Sequence, residues 1–310
     1  GHCAGSAMTA ATSYFVPTRA IAVAAMLGSA ACWGGATVMT KGALDAFDPF
    51  ILLVIQLVAS VTALWTAVFL SSTPLLAARP MMRAGSTGVL EPGLAYAVGV
   101  PGLALTTAGN ASVVAALEPV FIFLGAWILF RTRPTLGAIT AIFAAVVGVT
   151  LVSLTEPTGL GGGSVLGDGL VLLGTALAAA YVLASSRLAV TMPAILLTAL
   201  QQSAGLGLVM ILCAIAVVAG WQALPTSLSL PMLALAIFSG LIQYALAFWL
   251  YIIGLKGIAP GLAGMFLTTT PIFGVLGGMM FLGESITPSQ LLGMVLVIFS
   301  LFALLRSRTG

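Results

Sequence analysis

Two carboxylates stand inside long apolar runs of this 310-residue chain, Glu91 and Glu118. An ionisable side chain in hydrocarbon is expensive to keep, and such residues mark binding sites, ion paths or proton relays. Glu118 is followed by Pro119, whose ring removes a backbone donor and bends a helix. Glu118 therefore has two readings: a group that meets cargo, or an acid bonded to a carbonyl that the proline frees. Gln243 and Thr270 are further polar candidates at depth, Thr270 again beside a proline, Pro271. Trp33, Tyr96, Tyr181, Tyr244 and Trp249 also lie deep in apolar runs. Their ring faces could line a pocket for planar or apolar groups; packing in a core or against lipid is the alternative for each. Gln56, Gln201 and Gln202 could face inward too, or bond between helices.

What is missing narrows the chemistry. The single histidine is His2, in the N-terminal tail, so neither a histidine-based triad nor a histidine metal site is expected. Gly167-Asp168-Gly169 does not have the Gly-x-Gly-Asp order of intramembrane aspartyl proteases. There is no P-loop, so no direct use of ATP is expected. Cys32 and Cys213 sit within spans as small apolar residues, and Cys3 is in the tail. The residues point to no enzyme, no cofactor and no metal.

The elements that position these residues follow from composition. The chain is 61% hydrophobic and 5% charged, against roughly 25% charged residues in a soluble domain. Apolar runs of roughly 20 residues recur throughout, so the solvent is a lipid bilayer. The net charge of +3 comes from scattered basic residues and does not suggest a nucleic-acid partner. Ten spans are predicted, near 20–40, 49–70, 84–105, 109–130, 135–154, 167–190, 193–219, 231–254, 260–282 and 288–305. Met8 reads as the natural start, and residues 1–7 are then expected to be foreign to the protein. The first apolar run continues to span length, so no cleavable signal peptide is expected.

The segment Gly88–Phe130, shifted forward by 152 positions, falls without a gap on Gly240–Leu282. Gly88, Gly102, Gly109, Pro119 and Gly125 then meet Gly240, Gly254, Gly261, Pro271 and Gly277. A common apolar bias does not readily produce matched glycines and prolines. This is an internal repeat, and under it Glu91 meets Gln243 and Glu118 meets Thr270. The organisation is a tail at 1–19, a first repeat at 20–154, a linker at 155–166 containing Gly159–Gly163, a second repeat at 167–305 and a tail at 306–310.

With the N-terminus inside, Arg19, Arg79, Arg83, Arg131, Arg133, Arg187, Lys256, Arg306 and Arg308 all fall inside, and only Lys41 outside. Asp45, Asp48, Glu156, Asp168 and Glu284 fall outside. The Lys/Arg bias sets orientation, so both termini are expected in the cytoplasm. Five spans per half is an odd number, and the second repeat must then enter from the opposite side. The fold class is an all-α membrane protein of ten helices, two inverted five-helix repeats around a central cavity. Such repeats suit alternating access to a midplane site, with Pro119 and Pro271 as matched hinges.

Gly254-Leu255-Lys256, Ala263, Pro271, Leu282-Gly283-Glu284-Ser285-Ile286-Thr287 and Gly293 resemble the second repeat of the drug/metabolite transporter superfamily. The branch is the EamA-type ten-helix transporters, and the resemblance covers residues 20–305. Within it the chain is most similar to bacterial aromatic amino acid exporters of the YddG type. The resemblance implies an inner-membrane exporter whose cavity is lined mainly by the first, third and fourth helices of each half. It places Trp33, Glu91, Tyr96, Glu118, Tyr181, Gln243, Tyr244, Trp249 and Thr270 on the cavity wall. The first half departs from the pattern with Arg131-Thr132-Arg133-Pro134 in place of Gly-Glu. Gln56 stands where the family often has arginine, which disfavours anionic cargo. The expected substrates are small molecules, aromatic and other neutral or apolar amino acids. Cationic drugs or metabolites, exported with or without proton coupling, are the alternative, with Glu118 or Glu91 as counter-charge.

Overall fold

The computed structural model describes residues 17–130, 135–153, 164–185, 188–189, 191–225, 229–258, 266–267 and 269–306. The Gly159–Gly163 linker, Arg131, Arg133, Arg187, Arg308, Glu156 and Gly261 lie outside the described residues. Among those described there is no strand. This follows from the solvent: a helix satisfies its own backbone donors and acceptors, which hydrocarbon cannot do.

The first span is Arg19–Ala43, started by Thr18, whose hydroxyl accepts from the Ile21 amide at 3.4 Å. Pro49–Leu70 is the second, and a succession of helical pieces over 78–104 forms the third. The fourth is split into Ala108–Ala115 and Glu118–Phe130, with Pro119 in the first turn of the second piece. Leu136–Ser153, Val165–Ser185 and Ala194–Val218 follow, then Leu230–Gly257 as the eighth span. Thr270–Leu282, with Pro271 in its first turn, belongs to the ninth span, and Pro288–Arg306 is the tenth. A proline is tolerated in a first turn because the donor it lacks would be unpaired there anyway. Both prolines therefore start helical segments at breaks in their spans.

The halves interlock. The first span packs against the eighth and ninth, while the sixth, its counterpart, packs against the third and fourth. The second pairs with the seventh and the fifth with the tenth. Each half thus lends its opening helix to the other.

Two polar clasps fix this exchange. Gln56 of the second span donates through Nε2 to Thr40 Oγ1 at 2.9 Å and to Ser239 Oγ at 2.8 Å. Gln201 of the seventh span donates through Nε2 to Ser185 Oγ at 3.2 Å and to Thr87 Oγ1 at 2.8 Å. Thr40 and Ser185 occupy the first and sixth spans, Thr87 and Ser239 the third and eighth, so the two clasps are related by the inverted repeat. At each clasp a glycine admits the glutamine's backbone. A Cβ on Gly240 would lie 2.5 Å from Gln56 Cα and O, and one on Gly88 would overlap the Gln201 carbonyl.

The acids outside the cavity finish the second face of the membrane, the face opposite the one at which the chain enters its first span. Glu284 accepts from the Ala108 and Gly109 amides at 2.6 and 2.9 Å, placing negative charge on the start of the fourth span. Asp168, 3% exposed, accepts from Thr106 Oγ1 at 2.6 Å. Lys41 Nζ donates to the carbonyls of Leu103 and Ala104, both at 3.1 Å, closing the last turn of the third span.

Gly88→Ala and Gly240→Ala are each expected to destabilise the protein by about 1–3 kcal/mol, the usual cost of overpacking. Thermal unfolding in detergent checks this against Gly207→Ala, where a Cβ meets nothing within 4 Å and the midpoint should stay put.

Candidate functional site

The third span is broken where its acid sits. Glu91 has φ −147° and ψ 125°, extended geometry inside an otherwise helical run. The cause is local: the ring of Pro92 pushes the preceding residue out of the helical basin. At the matched depth of the eighth span, residues 241–246 widen into a π-helical turn that carries Gln243. Such turns free backbone groups and reorient side chains, and they recur at functional sites.

These two distortions aim at one cavity of about 120 Å³. Glu91 and Tyr96 of the third span, Glu118 of the fourth, Gln243 of the eighth and Thr37 of the first line it. Small residues of the fourth and sixth spans, Ala111, Ala115, Gly174 and Ala178, leave the space open. No lysine or arginine is among the lining residues. Gln243 Oε1 accepts from Thr40 Oγ1 at 3.0 Å, so the cavity wall is tied directly to the first clasp. Glu118 also lines a second cavity of about 60 Å³, with Trp33, Pro119, Leu267 and Thr270. One carboxylate thus belongs to both spaces. Trp33 Nε1 is buried and faces the Tyr96 hydroxyl, without a hydrogen bond of standard geometry among the described residues.

The aromatic candidates divide. Tyr96 meets Tyr244 edge to face at 4.8 Å, and Trp33 meets Phe248 at 5.2 Å and Tyr251 at 5.4 Å. Phe248 is the hub, also 6.1 Å from Tyr181 and 6.4 Å from Tyr244. Tyr181 and Tyr244 are fully buried in this cluster, and the Tyr181 hydroxyl donates to Gln201 Oε1 at 2.9 Å. Tyr181 therefore completes the second clasp. Trp249 points away, into a separate groove on the outer side of the eighth span. Sequence reasoning missed Phe248, Tyr251, Thr37 and the break at Glu91. The Tyr244, Phe248, Tyr251 spacing of one helical turn each, and Pro92 beside Glu91, were the available signals.

The two ends of the cavity are packed unequally. Toward the first face, Met26, Tyr181, Phe248, Tyr251, Ile252 and Met192 belong to one continuous core. Toward the second face Leu103 and Val171 line the end of the cavity and belong with Val114 and Leu44 to a smaller apolar group. The cavity lies closer to the second face.

Chemically, two carboxylates with amide, hydroxyl and indole donors can hold a group that carries both an ammonium and an acceptor. A carboxylate in so dry a place needs a cation or a proton for company.

Residues 20–154 and 165–306 each match the model of the EamA-like transporter family. One solved structure, described only as the crystal structure of a protein, matches at a TM-score of 0.64 and 18% identity. That match covers 94% of this chain and 99% of the other, and carries the fold alone. No curated protein matches the chain.

Glu118→Gln should lower transport at subsaturating substrate by about tenfold or more, since a hydrogen bond to a charged group contributes roughly 1.5–3 kcal/mol. Uptake into protein-loaded vesicles checks this. Unchanged uptake would assign Glu118 to the backbone freed by Pro119.

Proposed function

The chain belongs to the EamA-like transporter family, membrane transporters of small molecules, and from that premise we propose that it exports amino acids, aromatic and apolar ones first. The cargo's ammonium group is held by Glu118 and Glu91, its carboxylate by donors that include Trp33 Nε1 and Gln243. The observation that carries this reading is the junction at Glu118. Two acids and no base favour an ammonium. The buried indole N–H beside the same acid, which faces the Tyr96 hydroxyl but makes no hydrogen bond of standard geometry among the described residues, favours an acceptor on the cargo. A cationic amine satisfies only the first half of that junction. The Tyr96 and Trp33 faces, which line the two cavities, offer stacking to an aromatic side chain, worth roughly 0.5–1.5 kcal/mol beyond burial.

Transport proceeds by alternating access, with the two interlocked halves rocking about the clasps and the breaks at Pro119 and Pro271 taking up the bend. The protein sits in the bacterial inner membrane with both termini in the cytoplasm, as the Lys/Arg bias favours. In that orientation the larger aromatic core lies on the cytoplasmic side of the cavity, and the smaller group at Leu103 and Val171 lies nearer release.

The alternative, export of cationic amines with Glu118 or Glu91 as counter-charge, separates from this one by experiment. Counterflow in liposomes should move phenylalanine and, more weakly, threonine. Trp33→Phe keeps the ring and removes the N–H. It should raise the half-saturating phenylalanine concentration about tenfold, the loss of one hydrogen bond to a charged group, and leave phenethylamine unchanged. Preferred transport of phenethylamine by the parent, indifferent to Trp33→Phe, would favour the amine reading.

A further inference from the structure

A larger cavity lies outside the central site. It is a groove of about 950 Å³ between the end of the second span, the start of the seventh and the last turns of the eighth. The eighth span divides its faces. Tyr244, Phe248 and Tyr251 point into the aromatic core, while Trp249, Ile253 and Lys256 form a stripe along the groove. Leu64 and Leu246 complete an apolar wall, and Ser71, Thr73 and Lys256 stand together at its first-face end. The groove faces the bilayer: Trp249 is 36% exposed, and Phe69 and Leu70 beside it are 67% and 82% exposed.

An apolar groove at bilayer depth does not hold water, so hydrocarbon must fill it. Its polarity also has a direction. The apolar body lies along the spans and the polar end lies where lipid headgroups sit. That end carries positive charge. Lys256 Nζ, bonded to the Met192 carbonyl at 2.9 Å, is fixed there. Arg79 and Arg83 lie on the helix Ala78–Gly85, which follows Ser71–Pro74 in the chain and packs on the seventh span. Among the described residues, every acidic side chain outside the central cavity lies at the second face.

We propose that this groove binds an anionic phospholipid of the first-face leaflet, its acyl chain along Trp249 and Ile253 and its phosphate at Lys256. The bound lipid would back the eighth span on the side opposite Phe248.

Trp249 itself reports occupancy. The protein is reconstituted in phosphatidylcholine vesicles doped with brominated phosphatidylglycerol or, at equal mole fraction, brominated phosphatidylcholine. The Trp249 contribution to quenching is the difference between the parent and Trp249→Phe. Phosphatidylglycerol should reach Trp249 about fivefold more effectively, the preference that one basic residue near an anionic headgroup gives. Lys256→Gln should bring the ratio to about one by the same reasoning, and Lys256→Arg should keep it. Equal quenching by both lipids in the parent, absence of a quenchable Trp249 component, or a preference that survives Lys256→Gln would each overturn the proposal.

Discussion

Two buried glutamines, each pressed against a glycine of the other half, hold this architecture together. In a soluble protein a misplaced amide can turn to water. Here no water competes, and Gln56 and Gln201 must find their partners among side chains of neighbouring spans. Each joins the opening helix of its own half to the third helix of the other. The glycines at 88 and 240 are needed because the backbones touch there. Since lipid tails are as apolar as leucine, burial of apolar surface cannot choose between alternative helix pairings. Close contact and directed hydrogen bonds can, and the two clasps supply both.

The clasps also reach the site. Thr40 accepts from Gln56 and donates to Gln243, so the first clasp continues without interruption into the cavity wall. On the other side Tyr181 joins Gln201 to the aromatic cluster around Phe248. The symmetry is not complete. Gln201 Oε1 has the Tyr181 hydroxyl, whereas Gln56 Oε1 has no partner among the described residues. Tyr181 of the fuller clasp belongs to the larger core, and the cavity lies toward the other end. Under the proposed alternating access, some such inequality lets one of the two states be favoured.

Much of this was legible in the chain. The ten spans and the inverted repeat follow from apolar length and from glycines and prolines matched at one offset. Glu91, Tyr96, Glu118 and Gln243 were candidates on polarity alone, and they line one cavity. What could not be read was facing. A helix in lipid is apolar on all sides, so it has no polar stripe from which to infer its inner face. Trp249 and Phe248 are neighbours in sequence, yet Phe248 is the hub of the core and Trp249 looks outward. Tyr181 likewise reads as a cavity aromatic until its hydroxyl is seen on Gln201. The clasps were illegible for another reason: they pair residues of different spans, which no periodicity records.

Alternating exposure of the central cavity is the claim on which the functional account rests. It is tested most directly by Ala178→Cys, a cavity-lining position, in a protein whose own cysteines have been replaced. A membrane-impermeant thiol reagent is applied to either side of oriented vesicles, with and without phenylalanine. The account predicts labelling from the second face without substrate and redistribution toward the first face during turnover. Simultaneous labelling from both faces, unchanged by substrate, would mark an open channel and contradict it.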